Sequence, residues 1–215
     1  MTNKHDRRTN GVDTPERILD VAERLVQTRG FNGFSYADIA AELEITKPAL
    51  HYHFANKAEL GRALVVRYTD RFAQALIQAN GSLHDAATRL ATYTQIYVDV
   101  ICRGRMCLCG MLAAEYQTLP APVQQAVIGF FDRNETWLTD VLERGRDDRS
   151  LRFDGQPSEM ARFVVNELEG AMLLARLRDD PELFETAARR LLDGLSPTTL
   201  KNESPLTAPL RSVTS

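Results

Sequence analysis

Between residues 30 and 60 the chain carries three helix-start signals in close succession, so the helices they open are short. Ser35 followed by Asp38 is a capping box, and it opens a helix carrying Ile39, Ala40 and Leu43. Glu44-Ile45-Thr46 interrupts that helix, and Thr46 caps the next one, with Pro48 in its first turn and Leu50 and Phe54 on its apolar side. Asn56 with Glu59 forms another box and opens a helix that can run to about Ala79. Two-turn helices do not persist in water on propensity alone, so packing has to hold them. The preceding segment supplies a partner. Thr14 suits its cap and Pro15 its first position; Ile18, Ala22, Leu25 and Val26 line one face; Gly30 fits the left-handed residue after it, with Phe31 folding back.

Downstream the 3.6-residue period continues without strand alternation or internal repeat. Ser82 with Asp85 starts a helix to about Cys102, residues 103–107 form a turn, and a short helix from about Leu108 ends before Pro120. A long helix spans about Pro122 to Arg146, and two more start near Pro157 and after Asp180. The expected fold is all-α with about nine helices: a flexible arm (1–13), a three-helix domain (14–60), a helical bundle (61–195) and a Pro/Ser/Thr-rich disordered tail (196–215). The hydrophobic share, 44% of 215 residues, is enough for a real core. No apolar run of about 18 residues exists to span a membrane, and no apolar stretch follows the charged N-terminus as in a secretory signal. Three cysteines do not make a disulfide scaffold, which points to the cytoplasm.

Two short helices joined by three residues make a helix-turn-helix. Ile39, Ala40, Leu43, Ile45, Leu50 and Phe54, with Leu19, Ala22 and Val26, can close its core and hold the second helix outward toward a DNA major groove. Residues 14–62 resemble the N-terminal domain of the tetracycline-repressor (TetR) family of bacterial transcription regulators. The resemblance rests on ILDVAERLVQTRGF in the first helix, S-x-x-DIA in the second, and LHYHF followed by NKAEL. It implies a helical effector-binding and dimerisation domain after the DNA-binding one, a double-stranded DNA operator as partner, and release of that DNA on binding an unknown small-molecule effector. Two departures stand out. Glu44 occupies the turn position where the family often has Gly, at some conformational cost. His51-Tyr52-His53 replaces the usual Tyr-Tyr or Tyr-His, which changes the operator read.

Resemblance and geometry together turn Thr46, Lys47, Ala49, His51, Tyr52, His53 and Lys57 toward DNA, with Ser35 and Tyr36 reaching phosphate from the preceding helix start. Lys47, Ala49 and His51 are the candidates for base edges. His51 and His53 do not make a metal pair, because residues two apart on a helix point about 200° apart. The net charge of −3 does not exclude DNA: residues 1–60 hold eight Lys+Arg against nine Asp+Glu, but Lys4, Arg7, Arg8, Lys47 and Lys57 lie on the arm and the groove side. Modest non-specific affinity follows, with the histidines as a pH-dependent supplement.

One two-turn helix buries too little surface for specificity, so a homodimer is expected. Phe163, Ala171, Leu174 and Ala175 in one closing helix, with Phe184, Ala188, Leu191 and Leu192 in the other, supply a candidate four-helix interface. Cys102, Cys107 and Cys109 are either small buried hydrophobes or a redox or electrophile sensor, with Arg103, Arg105 and a helix start favouring a Cys107 thiolate. They lack an obvious fourth ligand for a metal. By resemblance, Tyr93, Tyr97, Met106, Met111, Tyr116, Phe130, Phe131, Trp137 and Phe163 are candidates to line an effector pocket, although an aromatic at helical spacing is more often plain core. No nucleophile-elbow, phosphate-loop, dinucleotide or zinc-protease motif is present. No catalytic residue, metal or cofactor is therefore expected, and an all-helical enzyme or a redox protein with a vestigial helix-turn-helix are the weaker alternatives.

Overall fold

The computed structural model describes residues 14–79 and 85–197, and among them the regular structure is helical throughout. The elements are α1 (Thr14–Arg29), α2 (Tyr36–Leu43), α3 (Lys47–His53), α4 (Lys57–Ala79), α5 (Ala86–Ile101), α6 (Leu108–Ala114), a 3-10 turn (Tyr116–Thr118), α7 (Ala121–Asp147), α8 (Pro157–Leu177) and α9 (Pro181–Leu195). The all-α class and the nine helices are as expected among the described residues. The arm, and the tail beyond Pro197, lie outside them.

The short helices start where side-chain oxygens meet unpaired backbone N–H groups. Asp38 Oδ2 accepts from the Ser35 N–H at 2.8 Å and from its hydroxyl at 2.6 Å. Thr46 Oγ1 accepts the Ala49 N–H at 3.3 Å. Asn56 Oδ1 accepts the Glu59 N–H at 2.9 Å, while Glu59 reaches back to the Ala55 N–H at 3.0 Å, one residue beyond the expected cap. Three boundaries differ from expectation. Thr14 is already helical. Asp85, accepting the Thr88 N–H at 2.7 Å, is the residue that caps α5, and Ser82 lies outside the described residues. The helix expected to reach Pro120 breaks at Glu115 into α6 and the 3-10 turn.

Ile18, Ala22, Leu25 and Val26 of α1 close over Ile39, Leu50, Phe54 and Leu60, forming the tripod that carries α3. α4 belongs to the tripod at Leu60 and Leu64, then continues into the bundle through Tyr68, Phe72 and Leu76. There α4 packs on α7, α7 on α8, and α8 on α9, with α5 filling the space between α4, α7 and α9. Arg67 ties α4 to α1 through Glu16 at 3.0 Å, Asp20 at 2.8 Å and Glu23 at 2.8 Å.

The C-terminal end of α1 is gripped from the bundle. Arg176 of α8 donates to the Gln27 carbonyl at 2.8 Å and to the Thr28 carbonyl. The Met106 N–H donates to Gln27 as well, at 3.2 Å. Glu115 accepts the N–H groups of Phe31 at 2.7 Å and Asn32 at 3.1 Å. Gly30 has φ +83°, and a Cβ there would lie 2.5 Å from a Glu115 carboxylate oxygen.

The expected dimer stripe is largely spent inside the subunit. Phe184, Ala188 and Leu191 of α9 and Ala175 of α8 are buried in the subunit's own core, because α9 lays its apolar face on α5 and α8. Ala171 and Leu192 are half-buried against the same core. What remains outside is a face of α8 with Phe163, Leu173, Leu174 and Leu177 exposed.

Glu44 has φ 54° and ψ 37°, the left-handed conformation that a side chain disfavours by about 1 kcal/mol. Glu44→Gly is expected to raise stability by about 0.5–1 kcal/mol, and Gly30→Ala to lower it by at least about 1 kcal/mol. Urea unfolding midpoints of the two variants measure both effects.

Candidate nucleic-acid interface and sensor core

α3 is pinned by Leu50 and Phe54 and presents its other face outward. Thr46, Lys47 and His51 are exposed, Ala49 and His53 are partly so, and Tyr52 is 86% exposed. The Tyr52 ring meets His53 edge-on at 5.2 Å. His51 places Nδ1 3.0 Å from the Ala55 carbonyl. A carbonyl can only accept, so Nδ1 carries the hydrogen, and in the neutral ring Nε2 is left as an outward acceptor.

Three of the residues expected to face DNA are engaged elsewhere. Lys57 turns inward: its ammonium donates to the Phe34 carbonyl and lies over the Phe31 and Phe34 rings at 4.8 and 4.3 Å. Burial lowers its pKa, against the pull of Glu115 and Asp38. Tyr36 is half-buried, donates to the Phe54 carbonyl at 3.0 Å and packs on the His51 ring at 4.8 Å. Burial, with Glu59 nearby, pushes its hydroxyl up to about 12. Ser35 is exposed, but its hydroxyl is committed to Asp38. Backbone geometry claims these side chains first, because each satisfies a carbonyl or a cap that holds the tripod together.

In the bundle, Tyr93, Tyr97, Phe130, Met106, Cys107 and Cys109 are buried, with Trp137 partly buried beside them. Tyr93 stacks on Trp137 at 5.7 Å, and the Tyr93 and Tyr97 hydroxyls meet at 3.2 Å. Other expected lining residues lie elsewhere. Phe163 is on the outer face of α8, Cys102 is exposed with its thiol 3.8 Å from Glu185, Tyr116 sits on the 3-10 turn, and Met111 and Phe131 pack only at the edge of the core. The expected Cys107 thiolate is not found. Burial first, then the neighbouring Glu169 carboxylate, hold the thiol protonated, with its pKa well above the ordinary range. Its Sγ accepts the Gly110 N–H at 3.4 Å and receives the Tyr68 hydroxyl at 3.9 Å.

Residues 18–64 match the family model for bacterial regulatory proteins, tetR family, and residues 86–191 match a tetracyclin repressor-like C-terminal domain. The chain belongs to the tetR family. It is a DNA-binding transcription regulator and not an enzyme. Relatives include the HTH-type transcriptional repressor NemR of Escherichia coli, 28% identical over 182 residues that make up 81% of this chain and 90% of NemR. The transcriptional regulator AcuR of Cereibacter sphaeroides is 32% identical over 169 residues, 75% of either chain. A crystal structure of a TetR-family regulator from Agrobacterium tumefaciens superposes with a TM-score of 0.82 at 30% identity, covering 85% of this chain and 97% of that one. Among the described residues no helix is long and apolar enough to cross a membrane.

Glu169 was not among the residues expected at the site, yet in this tetR-family bundle its carboxyl group reaches the buried interior. It is four residues after Val165 and three before Met172, on the buried register of α8, and that spacing was the available signal. Gly110 leaves room for it: a Cβ there would lie 2.2 Å from the carboxylate. Burial pushes the Glu169 carboxyl up to about 7, with Cys107 and Tyr97 pulling weakly the other way. The folded chain keeps this proton while the unfolded chain loses it near the ordinary 4.5. The contribution is complete below about pH 4.5 and is lost as pH rises to about 7, falling by roughly 1.4 kcal/mol per unit and on the order of 3 kcal/mol in all. Glu169→Gln is expected to be more stable than the parent at pH 8 and to flatten the pH profile between 5 and 8, as read by thermal melts.

Proposed function

We propose that the chain represses transcription as a two-fold dimer on a palindromic operator, in the cytoplasm, and releases that DNA when a small molecule binds in its bundle. The observation carrying this reading is the outward face of α3, with Thr46, Lys47, His51 and Tyr52 exposed over a fixed apolar anchor. A recognition helix held this way enters the major groove with its first residues at the base edges. Lys47, Ala49 and His51 take the base edges, and Thr46, Tyr52 and His53 flank them toward phosphate. Tyr36 and Lys57 act from behind, fixing the carbonyls of Phe54 and Phe34, while Ser35 shapes the start of α2. Residues 14–60 serve as the DNA-binding domain and 61–195 as the effector and dimerisation domain, with α4 common to both.

Pairing of two copies is supported by the exposed apolar face of α8, since a patch holding Phe163, Leu173, Leu174 and Leu177 invites a cover. The relative NemR is named a repressor. In a second reading the signal is covalent. Cys107 is the residue it would use, because the Glu169 carboxylate beside the thiol can take its proton when an alkylating electrophile bonds to sulfur.

Gel retardation on DNA beside the chain's own gene tests the first reading. Specific binding should fall steeply with salt, and Lys47→Ala and Tyr52→Ala should weaken it at least about tenfold. No retardation of that DNA by the reduced protein would overturn it. Leu174→Glu is expected to give monomers in sedimentation and to lose operator binding. For the covalent reading, release of DNA by an alkylating agent should vanish in Cys107→Ser, and unchanged release excludes that cysteine.

A further inference from the structure

The His51 ring is held from two directions. Its Nδ1 lies 3.0 Å from the Ala55 carbonyl, and its face packs on Tyr36 of α2 with the ring centroids 4.8 Å apart. Both supports are themselves fixed. Glu59 of α4 accepts the Ala55 N–H at 3.0 Å, so the residue that anchors Nδ1 is tied at its other end. Tyr36 donates its hydroxyl to the Phe54 carbonyl at 3.0 Å. Burial, with the charge of Glu59, pushes that hydroxyl up to about 12, so the support does not titrate near neutral pH. His51 is exposed, and its Nε2 makes no hydrogen bond among the described residues.

The Ala55 carbonyl can only accept, so Nδ1 keeps its hydrogen in either charge state of the ring. Proton gain and loss therefore take place at Nε2 alone. In the neutral ring this outward atom accepts a hydrogen bond; in the imidazolium it donates one, and the ring need not turn to make the change. Bases in the major groove divide along the same line. Adenine and cytosine present an exocyclic amino group, a donor, whereas guanine and thymine present a keto oxygen, an acceptor. The titratable and charged groups around the ring are Tyr36 of α2, Glu59 of α4 and Lys47 one turn earlier on α3. Lys47 is a donor only and cannot read an amino group. His53, two residues on, points about 200° away.

We propose that His51 reads the amino group of an adenine or cytosine when neutral, and the keto oxygen of a guanine or thymine on the same strand when protonated. The operator preference is then itself pH-dependent, at one base pair of each half-site. This deepens the reading of α3 as the recognition helix and rests on it. Imidazole is the side chain that changes charge between pH 5 and 8. General strengthening of DNA binding at low pH can come from any histidine beside a phosphate. An exchange of base preference at one position requires a ring fixed in place.

Selection of duplexes from a random-sequence pool by the full-length protein at pH 8 gives its preferred operator. Anisotropy titrations then compare that duplex with versions in which each base pair is reversed in turn, at pH 8 and at about pH 5.5. At one position per half-site, reversal should weaken binding at least about fivefold at pH 8, and this penalty should vanish or change sign at the lower pH. His51→Ala should remove the penalty there at both pH values. His51→Gln, which does not titrate, should show no difference between them, and His53→Ala should keep the parent's pattern. Three results overturn the proposal while leaving the DNA-binding reading standing: a penalty that ignores pH in the parent, one that still follows pH in His51→Gln, or an operator with no position whose penalty depends on His51. A pool that yields no preferred sequence overturns both.

Discussion

The grip on the C-terminal end of α1 is the contact on which the rest of the arrangement depends. The last turn of a helix leaves carbonyls without partners, and the residues after it leave N–H groups exposed. Here Arg176 and the Met106 N–H take the Gln27 and Thr28 carbonyls, and Glu115 takes the N–H groups of Phe31 and Asn32. Charged groups make these bonds stronger than neutral ones, about 1.5–3 kcal/mol each in net effect. Without them the tripod would meet the bundle through α4 and through the packing of α1 on α6.

The same face of α8 serves both ends of the molecule. Glu169, Met172 and Arg176 are spaced three and four residues apart, so they stack along one side of the helix. Glu169 faces the thiols and tyrosines, Met172 accepts the Cys107 N–H at 3.1 Å, and Arg176 holds α1. A change in packing around Glu169 is therefore carried by the element that positions the DNA-binding domain. A ligand changes DNA affinity only as far as its own affinity differs between the two arrangements, so this stripe is where such a difference would be felt.

Much of the DNA-binding half was legible in the residues. Caps at Ser35, Thr46 and Asn56 act over three residues, and the core positions of α1 to α3 follow from helical period, so both could be read without knowing the fold. The inward bonds of Lys57 and Tyr36 were not legible, because a lysine and a tyrosine at helix starts look free until the carbonyls of Phe34 and Phe54 are placed beside them. The α9 stripe was legible as apolar but not as internal: hydrophobicity says that Phe184 and Leu191 must be covered, and not by which chain.

The sequence by itself determined the helices, their order, the tripod and the outward residues of α3, because capping, periodicity and the turn at Glu44 are local properties. Only the tertiary structure decided that Glu169 stands among Tyr97, Cys107 and Cys109, that the Cys107 thiol stays protonated, and that Arg176 closes on α1 149 residues away in the chain. The physical reason is that a carboxylate's ionisation and a hydrogen bond's partner are set by what lies beside them in space. For those residues the neighbours come from four different helices.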